Sequence, residues 1–142
     1  MDLTHREFIA FLNGRRGLVV SIATIPPDLM AHLKTTESNV AIKLDYAGKL
    51  RTKHSLLPEH FYLIQPIINF GWVGVDPNRV RNLTFLYEDR EIFQKQFKLV
   101  LKSNATGNET WLKTYFKIDP ADYVAARRKC LMVRAAYEEG QP

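Results

Sequence analysis

Apolar and polar positions along the chain follow two periods, and the switches between them predict the elements. In residues 4–13, Phe8, Ile9, Phe11 and Leu12 recur at helical spacing. Thr4 with Glu7 three residues later predicts a capping box, and Gly14 a stop. Residues 18–24 read as a strand. Pro26-Pro27 opens a short helical turn with Leu29, Met30 and Leu33 as its apolar side. Residues 40–44 form a short apolar strand. Residues 46–53 are polar and basic, with Gly48 as punctuation. In residues 56–70, Leu57, Phe61, Ile64 and Ile68 keep a helical period, and Pro66 predicts a break near Gln65. Strands at 72–75 and 83–87 follow, with a turn at Asp76-Pro77-Asn78 between them. Asp119-Pro120 caps a last helix expected to run to about Tyr137.

The clearest strands are 97–102 and 110–117, joined by a turn built around Gly107. Register follows from asking which pairing makes one face apolar. With Thr106 and Gly107 central, Lys102 opposes Trp111, Val100 opposes Lys113 and Lys98 opposes Tyr115. One face is then Phe97, Leu99, Leu101, Leu112, Thr114 and Phe116. The other carries Lys98, Val100, Lys102, Trp111, Lys113, Tyr115 and Lys117. Lysines hold phosphates and flat rings stack on bases, so this face suits phosphate or nucleic acid. An ordinary solvated sheet face is the alternative that the pattern leaves open.

Composition sharpens this in one respect. The net charge of +5 on 142 residues is modest. However, residues 91–134 hold nine basic side chains against four acids, which accounts for all of it. The length fits one ordinary domain. A single cysteine, Cys130, excludes an internal disulfide, and four scattered histidines give no zinc-ligand spacing. The longest apolar run, residues 17–25, is far below the ~20 residues of a membrane span and reads as a buried strand, so no membrane partner is expected. There is no Gly-rich phosphate loop, nucleophile elbow or paired-carboxylate motif. The best placed histidine is His54, after the basic run Lys49-Leu-Arg51-Thr-Lys53 and just before a helix.

Over residues 40–130 these pieces resemble, in order, the phage-associated branch of the barnase–EndoU–colicin–RelE (BECR) nuclease superfamily. The resemblance rests on the strand Val40-Ala-Ile-Lys-Leu44, on His54, and on Leu57-Pro-Glu59 followed by Tyr62-Leu-Ile-Gln-Pro-Ile-Ile68. Then come Phe97-Lys-Leu-Val-Leu-Lys102, a turn, and Glu109-Thr-Trp-Leu-Lys-Thr-Tyr115. It implies an α+β fold: an antiparallel sheet of about four strands with helices on one face. Residues 1–39 would be an N-terminal extension packed on a nuclease domain of residues 40–142, the whole a single globular unit. It implies RNA phosphodiester cleavage that is metal-independent and needs no cofactor. His54 would be the general acid or base, Lys102 the cation on the phosphate oxygens and Thr114 a hydrogen-bond donor, with Tyr115 beside them. Arg51, Lys53, Lys98, Trp111 and Lys113 would bind the nucleic acid. RNA, tRNA included, would be the partner, with a cognate antitoxin or immunity protein, in the cytoplasm of a host or target cell. A non-catalytic nucleic-acid-binding or phage-assembly module is the alternative. A toxin acting by protein contact through Arg127, Arg128 and Arg134 is a third reading. One conflict stands: the register puts Thr114 on the core face, opposite to Lys102, unless a bulge near residues 107–108 re-aims the strand.

Overall fold

The computed structural model describes residues 3–136. It is an α+β fold built on one sheet. In chain order the elements are α1 (His5–Leu12), β1 (Val19–Thr24), α2 (Pro27–Leu33), β2 (Asn39–Lys43) and α3 (Leu44–Lys53). A 3-10 helix (Pro58–Leu63) runs into α4 (Ile64–Phe70). Then follow β3 (Trp72–Val75), β4 (Asn82–Asp89), β5 (Lys95–Ser103), β6 (Thr110–Ile118), α5 (Pro120–Lys129) and β7 (Leu131–Arg134).

The sheet has seven strands in the order β1-β2-β6-β5-β4-β3-β7. The expected four-strand sheet is therefore corrected. Residues 1–39 contribute β1, which is hydrogen-bonded to β2 (Val19 opposite Lys43), and Phe8 and Phe11 lie in the same core cluster as the rest. At the other edge, the segment expected to extend the last helix pairs with β3 as β7. Its stretch Leu131-Met-Val133 gives that edge a partner, while α5 buries none of its own residues. A longer helix would have gained no apolar contact, whereas the strand satisfies the backbone of β3. The Arg134 guanidinium then donates to the carbonyls of Ile68 (2.7 Å) and Gly71 (2.8 Å), closing the end of α4. Tyr137, the expected end of the last helix, lies outside the described residues.

The strands are antiparallel except β2 and β6, which run parallel over Val40–Ala41 and Thr110–Trp111. Local signals fixed several ends as expected. Thr4 and Glu7 form a reciprocal capping box, Pro27 opens α2, and the Asp119 carboxylate accepts from the Asp122 N–H. The polar, basic stretch after β2 is helical. It is α3, because Ala47 and Leu50 share one face and bury completely while Gly48 sits on the outside. A solvent-side glycine costs about 1 kcal/mol, less than that face gains. The break expected near Gln65 falls between Leu63 and Ile64, where the 3-10 helix gives way to α4. Pro66 is thereby placed in the first turn of α4, where no intrahelical N–H is missed.

The turn at residues 104–109 is built on Asn104. Its side-chain oxygen accepts from the N–H groups of Asn108 and Glu109, both at 3.0 Å. Gly107 needs its φ of +74°, and a Cβ there would lie 2.7 Å from the Lys34 carbonyl. Its own carbonyl accepts from Thr36 N–H at 2.7 Å, tying the turn to the end of α2.

The core lies on one face of the sheet, under α1 to α4. The other face is covered only towards β3. There Arg127 of α5 lies 5.6 Å from the Trp72 ring centroid, and Lys129 pairs with Asp76 at 3.4 Å. Helices thus stand on both faces rather than one. The strip of β5 and β6 between α5 and α3 is open.

Candidate nucleic-acid interface

The hairpin register agrees with expectation at its tip and changes further in. Lys102 pairs with Trp111 and Leu101 with Leu112. The pairing then shifts, so that Val100 meets Thr114, Leu99 meets Tyr115, Lys98 meets Phe116 and Phe97 meets Lys117. Lys113 is the extra residue, a β-bulge. One inserted residue reverses which side chains face outward beyond it. The bulge sits in the strand rather than at the turn, and it moves Thr114 and Phe116 to the open face.

Tyr115 goes the other way, which corrects its placement on the open face. It is fully buried, its ring stacks on Phe97 at 5.7 Å, and its hydroxyl donates to the His60 carbonyl at 2.7 Å. Burial raises its pKa far above the ordinary tyrosine value. A side chain with an apolar ring and one satisfied hydroxyl fits a core better than sequence alternation suggests. Lys117 likewise leaves the open face. His60 is buried as well. Its Nδ1 accepts from Leu57 N–H at 2.8 Å, and burial and Lys117 lower its pKa. Neither Tyr115 nor His60 can exchange protons with a ligand on the open face.

His54 caps α3, which runs along the edge of β6. Its imidazole stacks on Phe116 at 5.0 Å and 25°. The Lys98 ammonium lies 5.8 Å from the same ring. Lys98 and Thr114 line a cleft of about 130 Å³ together with Arg79, Lys113, Lys129 and the buried Asp76. Four cations face one carboxylate there, and that carboxylate already holds Lys129. The structure therefore brings His54 and Lys98 to one aromatic ring, and Lys98 and Thr114 to one cleft beside it.

Lys102 is not part of that group. It lies four residues along β5 from Lys98, roughly 13 Å away. It lines a second cleft of about 280 Å³ with Lys43, Tyr46, Glu109, Trp111 and Lys113. The Lys43 ammonium is 5.1 Å from the Trp111 ring. Lys113 belongs to both clefts. The Tyr46 hydroxyl donates to its carbonyl and braces the bulge. Burial, with Arg79 and Lys102 nearby, lowers the Lys113 pKa. Arg51 and Lys53, in the last turn of α3, line neither cleft.

Sequence reasoning missed Lys43, Arg79, Phe116 and Lys129. Lys43 reaches the site through the parallel β2–β6 pairing, and Arg79 and Lys129 through β4 and α5. No local signal announces these long-range placements. A larger cleft of about 770 Å³ lies at the other end of the β4–β5–β6 ladder. It mixes Glu88, Asp89 and Asp119 with Arg90, Lys95 and Lys117, so its charges offset. Among the described residues no three His, Cys, Asp or Glu side chains stand together to hold a metal ion. No helix among them is long and apolar enough to cross a membrane. No protein family, curated protein or solved structure matches this chain.

Proposed function

We propose that the chain binds RNA along the open cationic strip and cleaves a phosphodiester there, on a BECR-like arrangement of sheet and helices. The observation that carries this reading is that His54 and Lys98 share the Phe116 ring, while Lys98 and Thr114 share the cation-rich cleft beside it. In it, His54 takes the proton from the ribose 2′-hydroxyl as its oxygen attacks phosphorus. The bond from phosphorus to the 5′-oxygen breaks, and that oxygen takes a proton from water. The products are a 2′,3′-cyclic phosphate and a 5′-hydroxyl. Lys98 stabilises charge on the phosphate oxygens, and the Thr114 hydroxyl donates to one of them. Lys98 thus takes the role first expected of Lys102.

A second reading, binding without cleavage, draws on a different observation. With His60 and Tyr115 in the core, the open face offers one histidine for two proton transfers. One assay separates the two. End-labelled single-stranded RNA is incubated with the protein in EDTA. Cleavage with a cyclic-phosphate end, lost roughly 100-fold or more in His54→Ala and Lys98→Ala, is the expected result. Intact RNA with salt-dependent binding leaves the binding reading. Cleavage unchanged in both variants refutes the assignment of the site.

A further inference from the structure

The second cleft has a construction that phosphate binding alone does not require. The Trp111 indole N–H donates to Glu109 Oε1 at 2.9 Å, and Glu109 Oε2 accepts from the Asn104 side chain at 3.3 Å. Asn104 is in turn locked into the turn by its bonds to two backbone N–H groups. A chain of hydrogen bonds therefore sets the orientation of the ring. Lys43 lies against the ring and Lys102 is its cross-strand partner. A flat, oriented ring between two exposed lysines matches one nucleotide: the base on the ring, the phosphate on the ammonium groups.

The spacing connects this cleft to the first. Trp111 and Thr114 are three residues apart on β6, with the bulge between them, which is roughly 7–10 Å along the strand. Lys113 faces both clefts. A ligand that fills both must carry successive phosphates past Lys113.

We infer that the second cleft is a subsite for the nucleotide next to the phosphate held by Lys98 and Thr114, its base stacked on Trp111. This rests on the RNA reading above and deepens it: the substrate is single-stranded at that position. A paired base has its faces covered by its neighbours and cannot lie on a ring at the floor of a cleft.

The test uses the full chain and a 2′-O-methyl hexaadenylate, which cannot be cleaved by attack of its 2′-oxygen. Indole fluorescence reports the contact, because Trp72, the other tryptophan, is buried. The expected result is quenching on binding and roughly 10–100-fold weaker binding by Trp111→Ala, with Trp111→Phe within a few-fold of wild type. Lys43→Ala/Lys102→Ala alters two exposed residues and leaves the core untouched. It should weaken binding and flatten its dependence on salt by about two phosphate contacts. The same sequence in a duplex should bind more weakly without quenching. Equal binding by Trp111→Ala, or equal quenching by the duplex, overturns the subsite. Quenching by a protein that cleaves no RNA leaves the subsite standing and removes the cleavage reading. Cleavage with unchanged Trp111→Ala binding does the reverse.

Discussion

Tyr115→Phe tests the consequence of the bulge at Lys113, which turns Tyr115 into the core. Tyr115 is fully buried, and its hydroxyl makes a 2.7 Å bond to the His60 carbonyl. Phenylalanine keeps the ring and its packing on Phe97 and Phe61, so no cavity forms. What is lost is one buried neutral hydrogen bond, and the carbonyl becomes less well solvated. Together these cost about 1–2 kcal/mol. In a domain of this size that is a fall in Tm of roughly 3–8 °C. Nothing on the open strip changes, so binding of single-stranded RNA should stay within about two-fold of wild type (about 0.4 kcal/mol).

The assay is a pair of measurements on one preparation, thermal melting by circular dichroism and RNA binding by anisotropy. The outcome that refutes the reasoning is the opposite pairing: an unchanged Tm with binding reduced ten-fold. Tyr115 would then reach the ligand, the strand would run without a bulge, and Thr114 would return to the core face. A spectrophotometric titration adds a check. Burial holds the Tyr115 phenol above the ordinary range, so it should ionise only as the fold is lost in alkali.

Two further predictions concern charged groups. Burial, with Arg79 and Lys102 nearby, depresses the folded pKa of Lys113. The stability it withholds at pH 7 returns only as pH rises from the folded value towards the unfolded one near 10.5. Lys113→Met should therefore raise the urea midpoint at pH 7 while weakening RNA binding at least ten-fold. A lowered midpoint would show that the charge stabilises the fold. His60 is held below the ordinary histidine value, chiefly by burial. Its contribution is intact above the unfolded pKa of about 6.5 and is lost as pH falls through the lowered folded one. Urea midpoints measured from pH 7 to pH 5 should fall, and His60→Asn, which keeps an acceptor for Leu57 N–H, should fall less steeply. Equal slopes would exclude His60 as the titrating group.

What the sequence reveals about this fold depends on how far apart the deciding contacts are. The Thr4–Glu7 capping box, Pro27 and the Asp119-Pro120 start are decided within one turn, and each forms as read. The pairing of Lys102 with Trp111 follows from the short turn. α3 was hidden because only Ala47 and Leu50 of its core face are fully buried, and a pattern search sees Gly48 and four charges first. β7 was hidden because its partner β3 lies more than 50 residues away. Of the residues expected to act together, Thr114 comes to the same face as Phe116, the ring on which His54 stacks, while Lys102 and Tyr115 separate from them.

The bulge explains why that separation was illegible. Strict alternation through β6 would place Phe116 in the core and Tyr115 outside, and simple counting of apolar side chains favours it. The protein adopts the reverse beyond Lys113. Tyr115 satisfies its hydroxyl on His60 and packs its ring against Phe97, so little is lost by burying it. Phe116 outside forgoes part of its burial, and what lies against it there is the imidazole of His54 and the ammonium of Lys98. A strand optimised for stability alone would not expose the more apolar ring and insert a half-buried lysine to do so. The departure from the simplest pattern falls where the proposed chemistry is. On this argument, deleting Lys113 should leave an unbulged ladder with the same partners, Thr114 and Phe116 still facing out and Tyr115 still in the core. The stack of His54 on Phe116 would survive and only the Lys113 cation would be lost, so a cooperative thermal transition should remain and RNA binding should fall about ten-fold, as in Lys113→Met; a deletion variant that folds but no longer presents Phe116 to His54, read as loss of all cleavage, would overturn this register.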